Sequence, residues 1–100
     1  MIVVSGTFRV DPSQRETALE VGATMAAATL AETGCVTYGF WTDPSDPVRF
    51  RIFEEWDSAA ALDAHFETEH MATFVVALGD LGVSDTDVSR YEVTTKSKLM

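Results

Sequence analysis

The chain has 100 residues, 16 acidic against 7 basic, for a net charge of −9. That length suits one domain, and the acidity argues against nucleic acid and anionic membrane surfaces as partners, since both need a basic footprint. A single cysteine, Cys35, excludes an internal disulfide and a cysteine-rich zinc site and fits a reduced, cytoplasmic setting. Hydrophobic residues make up 46 % of the chain, enough for a folded core. The first residues, Met1 to Gly6, do not read as a signal peptide. No apolar stretch approaches the roughly 20 residues of a membrane span.

Ile2 to Val10 alternates, with Ile2, Val4, Gly6, Phe8 and Val10 on one face, and predicts a strand. Asp11 and Pro12 supply an N-cap and a first helical residue, with Gln14 completing a capping box. Leu19, Ala23, Ala26 and Leu30 then form a helical stripe, and Gly34 is the expected C-terminal cap. Val36 to Thr42 predicts a second strand. Asp43 to Pro47 reads as a turn, and Val48 to Trp56 as a third strand. Asp57 or Ser58 caps a short helix through Phe66. Thr68 caps another, with Met71, Phe74, Val75 and Leu78 as its stripe. Gly79 and Gly82 mark its exit, and Val88 to Thr95 predicts the last strand.

The order β-α-β-β-α-β is that of a ferredoxin-like α+β fold, an antiparallel sheet with helices on one face. One domain is expected over residues 1–100, its core from about 2 to 95. The strands carry apolar or aromatic residues on both faces. A second copy of the sheet is the simplest cover for the face without helices, which predicts a homodimer.

The densest chemistry lies between Phe50 and Phe74, where both histidines sit five residues apart. On one unbroken helix they would point roughly 140° apart; a new helix starting at Thr68 removes that constraint. His70 then falls in a first helical turn, where the helix dipole disfavours a cation and favours a neutral base. His65 and His70 also fit as histidines at the core edge. Glu54 shares a strand face with Ile52 and Trp56; if that face points toward the helices, Glu54 is a carboxylate under an apolar roof and needs a partner. Orienting an imidazole and a purely structural pair both satisfy that need. Tyr38, Phe40, Trp56, Phe74 and Met25 are candidates to line an aromatic pocket, or equally to fill the core. The histidine spacing matches no usual metal motif, and no Gly-rich nucleotide loop or nucleophile elbow is present, so no metal and no cofactor are expected.

Gly34-Cys35-Val36-Thr37-Tyr38, Asp43-Pro44-Ser45-Asp46-Pro47, Phe50…Glu54-Glu55-Trp56 and Leu62…His65…His70…Phe74 together resemble the antibiotic biosynthesis monooxygenase family, small dimeric α+β barrel proteins. The resemblance spans about Ile2 to Thr95. It implies a cofactor-independent, quinol monooxygenase-like enzyme with O2 as co-substrate. In such enzymes a phenol or anthrone loses a proton, the anion gives an electron to O2 and the pair recombines. Trp56 matches a tryptophan of the polyketide-tailoring branch. That branch has an asparagine where this chain has Ile52, and a histidine where it has Trp41. The haem-degrading branch has its asparagine and histidine near Ser5 and Val75. The His65…Thr68…His70 spacing is closer to the quinol-oxidising and isomerase branches. On this resemblance His70 is the expected base, assisted by His65, Glu54 orients an imidazole, and Trp56 with Tyr38 stacks on a small aromatic substrate. A keto–enol isomerase using the same pocket, and a non-enzymatic small-molecule-binding dimer, are the alternatives.

Overall fold

The computed structural model describes residues 1–100. Strands β1 (Ile2–Arg9), β2 (Cys35–Asp43), β3 (Asp46–Trp56) and β4 (Ser84–Glu92) form one sheet in the order β2-β3-β1-β4, with every neighbour antiparallel. Helices α1 (Arg15–Leu30), α2 (Ala59–Phe66) and α3 (Glu69–Asp80) belong to the ferredoxin-like α+β arrangement expected from the strand and helix order. No helix is long and apolar enough to cross a membrane.

The period-two pattern of β1 and β3 carries through to the core. Ile2, Phe8, Phe50, Ile52, Glu54 and Trp56 are all buried, and the register pairs Ile2 with Trp56 and Phe8 with Phe50. Two apolar clusters result. One gathers Ile2, Met25, Tyr38, Ile52, Trp56 and Leu62; the other gathers Phe8, Val10, Ala18, Phe50 and Leu81 at the opposite end. Val3, Phe53 and Trp41 alternate with these residues along their strands, and Trp41 is exposed. Every residue of β4 is exposed.

Several local expectations are corrected. Helix α1 buries Ala18, Gly22, Met25 and Thr29, while Leu19 and Leu30 face outward. An alanine-dominated helix has little apolar asymmetry, so fit against the sheet decides its orientation. A Cβ on Gly22 would come within 3.2 Å of the Phe40 ring. Asp11 caps a 3-10 turn over Pro12–Gln14 by accepting from the Ser13 amide, and α1 starts beyond that turn. The capping box does not form, because the Asp11 amide donates instead to the Leu81 carbonyl at 3.0 Å. Gly34 does not cap α1, whose C-cap is Ala31. It turns the chain into β2 with φ +85, where a Cβ would meet that of Ala61 at 2.6 Å. The hairpin turn is only Pro44-Ser45, so Pro47 lies inside β3; it sits beyond the last β1 pairing, Arg9 with Arg49, where no amide is needed. Strand β4 begins at Ser84 rather than Val88.

Candidate active site

Three short-range signals build the site. The Ser58 hydroxyl accepts from the Ala61 amide and starts α2, which carries His65 in its last turn. The Thr68 hydroxyl accepts from the Met71 amide to start α3 and donates to the His65 carbonyl at 2.7 Å. That double use breaks the helix between the two histidines and turns their rings toward each other, with centroids 6.0 Å apart. The α1–β2 loop then brings in Glu32, held by its amide on the Thr29 carbonyl and its carbonyl on the Cys35 amide.

Glu32 Oε2 lies 2.7 Å from His65 Nδ1 and 2.7 Å from His70 Nε2. A carboxylate only accepts, so the facing nitrogen of each ring carries its proton. His65 Nε2 and His70 Nδ1 are therefore the nitrogens left with lone pairs on neutral rings. The two histidines differ in access. The His65 side chain is 2 % exposed, the His70 side chain 29 %. His65 is packed against Trp56 (ring centroids 4.9 Å) and Tyr38 (5.8 Å).

Glu54 is hydrogen-bonded to Trp56 rather than to an imidazole. It is 5 % exposed, and its Oε1 accepts from the Trp56 indole N–H at 2.9 Å. Burial raises its pKa above the ordinary carboxylate value. The Trp56 hydrogen bond and the nearby His65 ring oppose that rise, and the Glu32 charge adds to it. Burial also raises the Tyr38 phenol, with Glu54 adding, so Tyr38 stays protonated. The Cys35 thiol is pushed up to about 11 by burial, then by Glu32 and Glu54, which leaves it a poor nucleophile.

A cleft of about 610 Å³ opens between α1 and α3. Glu20, Thr24 and Met25 line one wall, and Glu69, His70 and Phe74 the other. Of the residues expected to bind a ligand, Met25 and Phe74 face this cleft. Phe40 stands behind Phe74, with ring centroids 5.6 Å apart. Tyr38 and Trp56 do not reach the cleft: both are core residues, Trp56 with no exposed surface at all. Both rings pack against His65 and belong to the core cluster that holds Met25. Glu32 is the residue that sequence reasoning missed. It lies 33 and 38 residues from the histidines it joins, and beside Thr33 and Gly34 it looks like a solvated turn residue.

A family model described as "Antibiotic biosynthesis monooxygenase" matches residues 1–77. The chain is 30 % identical to "Putative monooxygenase YcnE" of Bacillus subtilis, over 94 % of this chain and 99 % of that protein. It is 32 % identical to "Probable quinol monooxygenase YgiN" of Escherichia coli, over 81 % of this chain and 88 % of that protein. A crystal structure described as a "putative antibiotic biosynthesis monooxygenase" from Deinococcus radiodurans superposes with a TM-score of 0.92 at 28 % identity, covering 100 % of this chain and 99 % of that one. A matched sheet, a matched helical layer and a family model covering most of the chain lead to one assignment: this chain belongs to the antibiotic biosynthesis monooxygenase family.

Proposed function

We propose that the chain oxidises a small phenolic or quinol-like aromatic with O2 and no bound cofactor, using His70 as general base. The observation that carries this reading is the hydrogen bond from His70 Nε2 to Glu32 at the edge of the cleft. It fixes the tautomer whose Nδ1 can take a proton from a phenol, and the carboxylate stabilises the imidazolium that forms. Met25 and Phe74 supply apolar contact for an aromatic ring. The ionised substrate gives electrons to O2; one oxygen atom enters the product and the other leaves as water with the two hydrogens removed. His65, which shares Glu32, acts as a positioning residue that holds the carboxylate in place. The relative named as a quinol monooxygenase supports this substrate class.

Glu20 and Glu69 flank the cleft and no Lys or Arg lines it, which favours uncharged substrates over carboxylated ones. A second copy of the chain is proposed to cover the sheet face that carries Trp41 and Phe53.

The test is oxygen uptake by chelator-treated protein over hydroquinones, catechols and anthrones. Enzyme-dependent uptake that disappears in His70→Ala is the expected result. Turnover that continues without O2 would assign the same proton transfer to a keto–enol isomerase. Turnover unchanged in His70→Ala would remove His70 as the base.

A further inference from the structure

We propose that Glu32, His65 and His70 form a binding site for one divalent transition-metal ion of the zinc or cobalt class, and that the ion switches the base off. The first half stands on the geometry of the three side chains. The second half rests on His70 acting as the base.

Two imidazole nitrogens and a carboxylate oxygen converge from three separate segments, the α1–β2 loop, the end of α2 and the start of α3, and all lie within 4.8 Å of one another. Two nitrogens and one oxygen suit zinc, cobalt and nickel, and suit magnesium or calcium poorly. Three protein ligands leave further coordination positions for water, and the cleft beside His70 gives such water access. Metal bonds of ~2.1 Å set neighbouring ligand atoms about 3.0–3.4 Å apart. Each nitrogen now lies 2.7 Å from Glu32 Oε2, so both nitrogen–oxygen separations must widen by a few tenths of an ångström as the three atoms gather round the ion. Helix α3 can supply that movement, because it has no fully buried residue. His65 and Glu32 are held by the core and the loop bonds.

Metal binding and proton transfer exclude each other at these atoms. The ion needs the lone pairs of His65 Nδ1 and His70 Nε2, the nitrogens that now donate to Glu32. Each neutral ring must therefore carry its proton on the other nitrogen. His70 Nδ1 then becomes an N–H and no longer accepts a proton, while Glu32 is engaged by the ion.

The experiment titrates Co2+ and Zn2+ into chelator-treated full-length protein, read by the visible absorption of Co2+ and by calorimetric stoichiometry. One ion per chain is expected, with affinity weakened at least tenfold in His70→Ala, His70→Gln and Glu32→Gln. Asp63→Asn, on the exposed side of α2, is expected to bind as the parent does. Circular dichroism of the two His70 variants checks that both remain folded. Absence of stoichiometric binding, or binding retained in both folded His70 variants, overturns the site. On a turned-over substrate, one equivalent of Zn2+ is expected to abolish activity and a chelator to restore it. Binding with undiminished turnover overturns the switch. The titration needs no substrate, so it gives its answer even where the oxygen-uptake panel fails.

Discussion

The Trp56 indole N–H donates to the Glu54 carboxylate two residues away on the same strand face, at 2.9 Å and out of contact with water. A strand places residues i and i+2 on one side, so the pair is built by local geometry. It supplies a buried carboxylate with one strong partner and leaves the imidazoles to Glu32.

This pair gives a pH-dependent stability prediction. Burial raises Glu54 above its ordinary value of 4.5. Its contribution to stability is therefore fully present below about pH 4.5 and lost as pH rises through the raised folded value. Glu54→Gln keeps an acceptor for the indole and does not titrate. The variant is expected to gain on the parent as pH rises, by on the order of 1 kcal/mol at pH 8. Denaturant midpoints at pH 4 and pH 8 check it; a gap that stays constant between them would contradict the burial argument.

Trp56→Phe removes the donor and leaves a void. The expected cost is on the order of 2–4 kcal/mol, combining lost core volume with an unpaired buried carboxylate. Adding Glu54→Leu to Trp56→Phe is expected to recover part of it. Chemical denaturation of the single and double variants measures the coupling.

For the activity, His70→Ala is expected to cost about 10²–10⁴-fold in kcat, the usual worth of a positioned base. Glu32→Gln is expected to cost less, roughly ten- to a hundredfold, because the base remains but its imidazolium loses the facing charge. Steady-state oxygen consumption on a common substrate compares the two. Equal activity of Glu32→Gln and the parent would sever the link between Glu32 and the chemistry.

The cleft charges predict selectivity. A carboxylated hydroquinone is expected to show a KM about five- to tenfold above its uncharged counterpart at low salt, from roughly 1 kcal/mol of repulsion. The gap should narrow in Glu20→Gln and Glu69→Gln, and with added salt. Identical KM values for the two substrates would show that neither carboxylate acts on the ligand.

The sheet face predicts an assembly. Light scattering is expected to give twice the chain mass of 10.9 kDa, falling to one copy in Phe53→Glu, which sets a charge on the face that carries Val3 and Trp41. A monomeric parent protein would remove this proposal.

How much of this was legible in the sequence follows from the range of each interaction. Caps at Ser58 and Thr68 were readable because a hydroxyl and an amide three residues on form a closed local unit. That Glu54 and Trp56 share a face of β3 was readable because the sheet period is two, but that this face is the buried one was not, because alternation alone does not say which side the helices cover. The buried face of α1 was not, since one alanine resembles another and the choice rests on Gly22 meeting Phe40. The start of β4 was not, because an edge strand exposed throughout shows no alternation. Glu32 was not, because its partners come from two later helices and only the folded chain brings them together.

Helix α3 carries His70 and forms one wall of the cleft, yet it holds on to the domain only through half-buried side chains such as Met71, Phe74 and Leu78. Such an element can open at a lower free energy than the domain as a whole. Its amides are accordingly expected to exchange with deuterium ahead of those in β1 and β3. Anything that fills the cleft or ties His70 to Glu32 more firmly would slow that exchange. The breathing of this one helix then becomes a reporter of occupancy, readable before any substrate has been identified.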